Sequence, residues 1–149
     1  MKKLLIIATL FFLGFTSCKK DETTTPAKTK KEIISSKTWI ANEAVVLGAI
    51  VAYKRGNKPA ENLLDLDKVS LKFNADGTLT GLDNTGKALT GAKWTLSTDE
   101  TKLTISGVGV IGIDGEKTVV QATETNFDLS GLVPYNGQEV SATIKAVPQ

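Results

Sequence analysis

Residues 68 to 80 read KVSLKFNADGTLT, and this stretch decides the fold class of the 149-residue chain. Val69, Leu71 and Phe73 alternate with polar residues, which is the period of a strand with one buried face and one wet face. The NADG segment at 74–77 has the composition of a tight turn, and a further candidate strand, 78–82, follows it. The stretch therefore predicts an antiparallel hairpin.

The same alternation recurs along the chain, in AKWTLS, KLTIS, NFDLS and EVSATIKA. Turn compositions at STDE (97–100) and DGEK (114–117) favour further tight hairpins. Ten segments are candidate strands, although the first two count as one bent strand if they are continuous: 38–46, 49–53, 68–74, 78–82, 92–97, 101–106, 108–113, 117–122, 126–130 and 139–147. Short strands joined by short turns predict an all-β antiparallel meander, and closing it into a barrel removes its exposed edges.

A short helix is predicted before the first strand. Thr29 and Glu32 have the spacing of a capping box, and a helix through Ile33 and Ile34 to about Ser36 would follow. Because the helix is so short, it is stable only if those isoleucines pack on something.

The N-terminus has the layout of an export signal. Two lysines precede LLIIATLFFLGF (4–15), and these twelve uncharged residues are too few to span a bilayer core, which needs about 20. We expect residues 1–17 to be a signal peptide, with a short anchor helix as the alternative. Residues 18–31 are then a flexible, lipidated tether, since they hold almost no apolar side chains, and 32–149 form the folded domain.

Cys18 is the only cysteine, and it lies where the predicted signal meets the mature chain. Phe15-Thr16-Ser17 before it resembles the lipobox of bacterial lipoproteins, although the first lipobox residue is usually leucine. The resemblance implies acylation of Cys18, and several acyl chains hold a protein on a membrane effectively for good. Lys20-Asp21-Glu22 resembles the signal after the lipid cysteine in surface-exposed lipoproteins of the Bacteroidetes. We expect an outer-membrane protein, displayed on the cell surface or, alternatively, on the periplasmic face.

Charge and composition exclude several classes of protein. Without Lys2 and Lys3, the 18 basic residues fall to 16 against 16 acids, so a nucleic-acid partner is not expected. The lone cysteine rules out an internal disulfide. There is no histidine, no Gly-x-Ser-x-Gly elbow and no phosphate loop, so we predict no enzyme activity, no cofactor and no metal.

Two apolar stretches break the alternation: AVVLGAIVAY (44–53) and GVGVIGI (107–113). The favoured interpretation is a strand covered outside by the capping helix, or a bend where glycine permits tight coiling. The alternative is an exposed apolar patch used for contact.

The whole pattern resembles the lipocalin-like domain family of small Bacteroidetes lipoproteins. The residues that carry this resemblance lie between about 30 and 147: Trp39, Asp67, Phe73, Asp76, Gly77, Thr78, Trp94 and Leu96. Many members carry a cysteine pair near the second and third strands, which this chain lacks. The resemblance implies an antiparallel up-and-down barrel of about eight strands, open to a small apolar ligand or filled by its own side chains.

Seven residues are the candidates for the barrel interior or a ligand site: Trp39, Val69, Leu71, Phe73, Trp94, Leu96 and Phe127. Core filling is favoured over a pocket, and Trp39 is favoured as a plug of one barrel end. Two functions stay open. The barrel binds a small hydrophobic molecule, or it is a surface module that contacts another envelope or host molecule and has no internal ligand.

Three polar features are further candidates for a binding or catalytic role. Asp65 and Asp67 would share a face on a strand and could bind calcium or act as an acid/base pair, but a solvated loop or cap is favoured. Tyr135 is a lid over the core or a stacking residue at the barrel mouth. Lys54, Arg55 and Lys58 form a solvated basic loop or a contact for anionic lipopolysaccharide.

Overall fold

The computed structural model describes residues 26–109, 113–135 and 137–149. Cys18 and the predicted signal peptide therefore lie outside the described residues. Within these ranges the chain forms one α-helix, α1 (Lys30–Ser36), a 3-10 helix (Pro59–Glu61) and nine strands. The strands are β1 (Thr38–Val46), β2 (Ile50–Lys54), β3 (Ser70–Phe73), β4 (Leu79–Leu82), β5 (Lys93–Leu96), β6 (Lys102–Ser106), β7 (Gly115–Ala122), β8 (Phe127–Tyr135) and β9 (Gln138–Pro148).

Eight strands form an antiparallel barrel in the order β4-β3-β1-β9-β8-β7-β6-β5, and β2 pairs with β1 beside this path. The first and last strands pair, because β9 returns to β1. A short bridge joins β4 to β5, where the Leu79 amide donates to the Ala92 carbonyl at 2.9 Å. The ring is thus nearly closed, which confirms the predicted all-β, up-and-down barrel with a short N-terminal helix.

An extra residue in β1 keeps its apolar side chains inside the barrel. The register against β9 shifts between Ala41 and Glu43, so Asn42 is a bulge. Residues 39 and 41 before the bulge and residues 44 and 46 after it are all buried. Without the bulge the last two would face solvent, because a shift of one residue turns every side chain to the other face.

The helix α1 closes one end of the barrel, which we call the helix end. Ile34 on α1 is fully buried, and the Trp39 indole N–H donates to the Ile34 carbonyl at 2.8 Å. The predicted capping box between Thr29 and Glu32 is present, so the helix begins at Lys30, two residues before the predicted domain boundary.

A glutamate from a distant turn also holds the helix. The Glu100 carboxylate accepts from the amides of Lys30 and Lys31 at 3.0 and 3.2 Å. Amides in the first turn of a helix have no partner within the helix, so Glu100 satisfies two of them. Glu100 does this from a left-handed backbone conformation, with φ at +55°.

The interpretation that α1 covers the AVVLGAIVAY stretch was wrong. The helix packs against β3 and β7, whereas residues 44–53 form the β1–β2 hairpin, whose turn lies at the opposite end of the barrel. We call this opposite end the far end. The hairpin turns at Leu47-Gly48, both with positive φ, so the expected glycine bend is present.

The second apolar stretch is not the predicted strand. Residues 110–112 lie outside the described residues, and 108, 109 and 113 are not in a strand. Val108 and Ile113, on either side of residues 110–112, are buried and belong to the barrel core. Gly115 already begins β7 and pairs with Ile105, so DGEK is not the tight hairpin turn that its composition indicates.

Candidate functional site

The barrel interior retains a cavity of only about 40 Å³. Five of the seven predicted interior residues line it: Trp39, Val69, Leu71, Phe73 and Phe127. Trp94 is buried in the same core without lining the cavity, and Leu96 is half-buried against that core. Ile113, from the β6–β7 loop, completes one wall.

Aromatic rings fill most of this space. The Phe73 ring meets Trp94 edge-on at 5.4 Å between centroids and Phe127 edge-on at 5.5 Å. Trp39 lies 5.3 Å from Phe127 in a tilted arrangement. These are the preferred geometries of aromatic pairs, which contribute roughly 0.5–1.5 kcal/mol each beyond the area they bury.

Hydrogen bonds fix both indoles in place. The Trp94 indole N–H donates to the Asn74 carbonyl at 2.8 Å, as that of Trp39 does to Ile34. Trp39 therefore joins the helix end to the cavity wall. A void able to hold a drug-sized ligand is roughly 300–1,000 Å³. The cavity therefore has room for a few atoms, and a long acyl chain enters only if the ring cluster moves.

A buried lysine lies on the inner wall, where sequence reasoning expected only apolar side chains. Lys117 is 5% exposed, and its ammonium donates to the carbonyls of Asp114 and Leu132 at 2.8 and 3.1 Å. Burial lowers its pKa. Its side chain crosses Gly131, where an added Cβ would come within 2.5 Å of it. The sequence signal for the burial of Lys117 was its two-residue spacing from Val119, which is buried on the same strand, β7.

The acid pair in the segment before β3 lies on the surface. Asp65 and Asp67 are both exposed and lie in a loop, as the favoured interpretation had it. The Tyr53 hydroxyl donates to Asp67 Oδ1 at 2.8 Å, and burial, with this bond, raises the pKa of Tyr53 to about 12. Among the described residues, no group of three or more His, Cys, Asp or Glu side chains is placed to hold a metal ion.

The far end carries a second, smaller core, formed by Val46, Ala52, Val133, Val140 and Ala142. Tyr135 ends β8 and packs half-buried against this core. In the basic segment after β2, the Arg55 guanidinium donates to the Ala41 carbonyl at 2.7 Å, so it supports the barrel wall.

Aliphatic side chains are exposed next to this second core. Leu47 is 55% exposed at the tip of the β1–β2 hairpin, with φ at +54°. Ile50 and Val51 on β2 and Leu132 on β8 are also exposed. A left-handed conformation costs a residue such as leucine about 1–2 kcal/mol, whereas glycine, asparagine and aspartate tolerate it. The tip therefore keeps an exposed leucine where asparagine would be more stable.

A shallow hollow lies beside these residues on the outside of the barrel. Its volume is about 300 Å³, and Val45, Gly48, Ser130, Leu132 and Thr143 are among its lining residues. We call the outward side of β2, β1, β9 and β8 the outer face. The hollow is lined by uncharged residues only, and its floor is made of small side chains.

The chain enters the domain at the helix end. Lys28 and Lys37 both form salt bridges to Glu124 in the β7–β8 turn, at 2.8 and 2.7 Å. Hydrogen bonds from these two lysines lower the pKa of Glu124 to about 2. Lys28 is thus held at the end of the barrel opposite to the β1–β2 hairpin tip.

No protein-family model and no curated protein matches this chain. Among the described residues, no helix has the length and apolar character needed to cross a bilayer.

Proposed function

We propose that this chain is a lipid-anchored cell-envelope protein that works through the outside of its barrel, as a contact module for another envelope or host molecule. The observation that carries the proposal is the filled interior. About 40 Å³ remains there, far below the roughly 300–1,000 Å³ of ordinary ligand sites. The lipocalin-like resemblance is compatible with this, because small barrels of that kind can be filled by their own side chains.

Leu47 supports the proposal independently. The Leu47 amide donates to the Ser141 carbonyl at 2.8 Å, but the residue is still 55% exposed. An exposed aliphatic residue in a left-handed conformation lowers stability. Strain of this kind concentrates at functional positions. A partner that buries the Leu47 side chain supplies the missing stabilisation.

The anchor is proposed from the sequence around Cys18 and from where the chain enters the domain. Acyl chains on Cys18 would moor the protein to the outer membrane, at the cell surface or alternatively on its periplasmic face. Since the tether joins the folded domain at the helix end, the β1–β2 tip lies at the end of the barrel away from the membrane anchor. Intact-mass measurement of the membrane-extracted protein should show acylation, and a Cys18→Ser variant should be released from the membrane.

The test of the filled interior uses Trp39 as a reporter. In a Trp94→Phe variant, Trp39 is the only remaining tryptophan, and it lines the cavity. Titration with cis-parinaric acid and brominated fatty acids should produce no saturable quenching or energy transfer. Saturable, displaceable binding that quenches Trp39 would contradict the proposal.

The test of the outer face uses two matched positions. Val51 is 47% exposed on the outer face, and Thr95, a residue of similar size, is exposed on β5, four strands away from β9 in the barrel order. A photo-crosslinking amino acid at position 51 of the full chain should give discrete adducts in native membranes, and one at position 95 should not. Equal labelling from both positions would count against a defined contact surface.

Carriage of a small apolar molecule is the second candidate function. The cavity favours it in one respect, because Trp39, Phe73, Phe127 and the other lining side chains are apolar. A ligand of only a few heavy atoms would fit without moving the rings. The same fluorescence titration, extended to small hydrocarbons, decides this candidate.

A further inference from the structure

We propose that the occupant of the outer face is a second copy of this chain, packed about a twofold axis that runs between β1 and β9. This inference rests on the proposed function, since it names the partner of the same surface. It follows from the order of charges along one row of the sheet and from the uncharged row above it.

The lower row alternates in charge and is complementary to itself. The strand register places Lys54 opposite Glu43, Glu43 opposite Lys145, and Lys145 opposite Asp128, so the row across β2, β1, β9 and β8 reads plus, minus, plus, minus. A twofold axis between β1 and β9 sets Glu43 against Lys145 of the other copy. The same axis sets Lys54 against Asp128 of the other copy, so every charge in the row meets its opposite.

The upper row carries no charge. Val51, Val45, Thr143 and Ser130 follow one another across the same four strands. The same axis places Val51 over Ser130, at the hollow of the other copy, and Val45 over Thr143. An exposed valine thus meets a floor of small side chains, and no like charges meet in either row.

Asp128 and Lys54, the two outer members of the charged row, form no salt bridge within one copy among the described residues. Lys145 donates to Glu43 at 2.7 Å, and no salt bridge to Asp128 is present among the described residues. Asp128 is half-buried, and this burial raises its pKa. Lys54 of a second copy would supply the cation that this carboxylate lacks.

The geometry also fits two anchored chains. An axis parallel to the strands leaves both helix ends on the same side, so both tethers can reach one membrane. The four strands cover roughly 20 by 20 Å of the barrel surface, from about 4.8 Å between strands and about 3.3 Å per residue. Because the outside of a barrel is convex, two such faces bury at most about 800 Å², below the roughly 1,200 Å² of stable interfaces, so the association is weak and depends on confinement in the membrane.

The experiment is zero-length carbodiimide cross-linking of the full chain in native membranes. Within one copy, Lys54 and Asp128 are three strand spacings apart, roughly 14 Å, which is beyond the reach of a direct amide link. We expect a dimer band and a Lys54–Asp128 cross-linked peptide. Mixed isotope labels in cells that co-express light and heavy copies should show that this peptide joins two chains.

Charge variants make the test specific. Lys54→Glu and Asp128→Lys should each reduce the dimer at least tenfold, because each sets like charges together twice. Co-expression of the two variants should restore it, since they complement each other. Lys102→Glu, an exposed lysine on β6 away from the face, should leave the dimer unchanged. Circular dichroism confirms that each variant is folded.

Two results would overturn the inference. If the face cross-links to a different protein and never to a second copy, the self-association is wrong while the proposed contact function stands. If the photo-cross-linker at position 51 and the carbodiimide both give no adduct with any chain, the proposed function fails as well.

Discussion

Phe127→Ala is the substitution that most sharply tests whether the barrel is filled. Phe127 is 2% exposed, and its ring contacts both Trp39 and Phe73 at centroid distances of 5.3 and 5.5 Å. Truncating a buried phenylalanine costs about 3–5 kcal/mol of unfolding free energy, and two lost aromatic pairs place this site near 4 kcal/mol. The cavity should grow from about 40 Å³ to roughly 150 Å³, a size at which an apolar void stays dry and takes up benzene.

Urea unfolding followed by tryptophan fluorescence measures the loss of stability, and thermal shift with benzene or xenon measures occupation of the new void. Phe127→Leu is the matched control, because it keeps most of the volume and should cost less than about 1.5 kcal/mol. Benzene should stabilise Phe127→Ala and leave both Phe127→Leu and the wild type unchanged. A loss under about 1 kcal/mol, or wild-type stabilisation by benzene equal to that of the variant, would refute the filled interior.

Three further outcomes are expected. Leu47→Asn should raise the unfolding free energy by about 0.5–1 kcal/mol, because asparagine tolerates a left-handed φ. Leu63→Asn, at an equally exposed position without that conformation, should change the unfolding free energy little. Thermal denaturation measures both variants, and a destabilised Leu47→Asn would contradict backbone strain at Leu47. Glu100→Ala should lower the unfolding free energy by about 1 kcal/mol, because α1 loses the carboxylate that caps its first turn. Glu100→Gly should lower it less if the positive φ at this position is strained, and urea unfolding compares the two variants. Ultraviolet titration should show one tyrosine, Tyr53, with a pKa of about 12. Because folding raises this pKa, the contribution of Tyr53 to stability is complete below about pH 10 and is lost between about pH 10 and 12. A midpoint near 10 in the folded protein would contradict the burial of Tyr53.

Most of the fold was predictable from the alternation of apolar and polar side chains. Val69, Leu71 and Phe73 share one buried face because a strand turns every second residue the same way, and the barrel follows once enough such strands are joined by short turns. Five of the predicted interior residues meet at one cavity for the same reason. The capping box also predicted the start of α1, since its hydrogen bonds are local in sequence.

Features that depend on distant parts of the chain were not predictable in the same way. The bulge at Asn42 is visible only in its register against β9, and GVGVIGI is as apolar as a strand although its described residues form a loop. The location of α1 depends on Glu100, about 70 residues further along, whose carboxylate binds the first turn of the helix. Chain order alone places α1 at the start of β1 and the β1–β2 turn at its end, so their separation was predictable once β1 was recognised as one strand.

The charge pattern of the outer face could not be predicted from the sequence either. Lys54, Glu43, Lys145 and Asp128 are far apart in the sequence, and their alternating row exists only through three strand pairings. The strain at Leu47 was also unreadable, because Leu-Gly is an unusual pair for a tight hairpin turn, in which asparagine-glycine is preferred.

An experimental structure of the full chain, determined in the presence of a saturating C16 fatty acid, would show directly whether the barrel interior is filled by its own side chains. We expect that the Trp39 and Phe127 rings stay in contact, with centroids about 5.3 Å apart, and that no acyl chain lies between them. An ordered acyl chain running among Trp39, Phe73 and Phe127, with these rings moved apart, would contradict it.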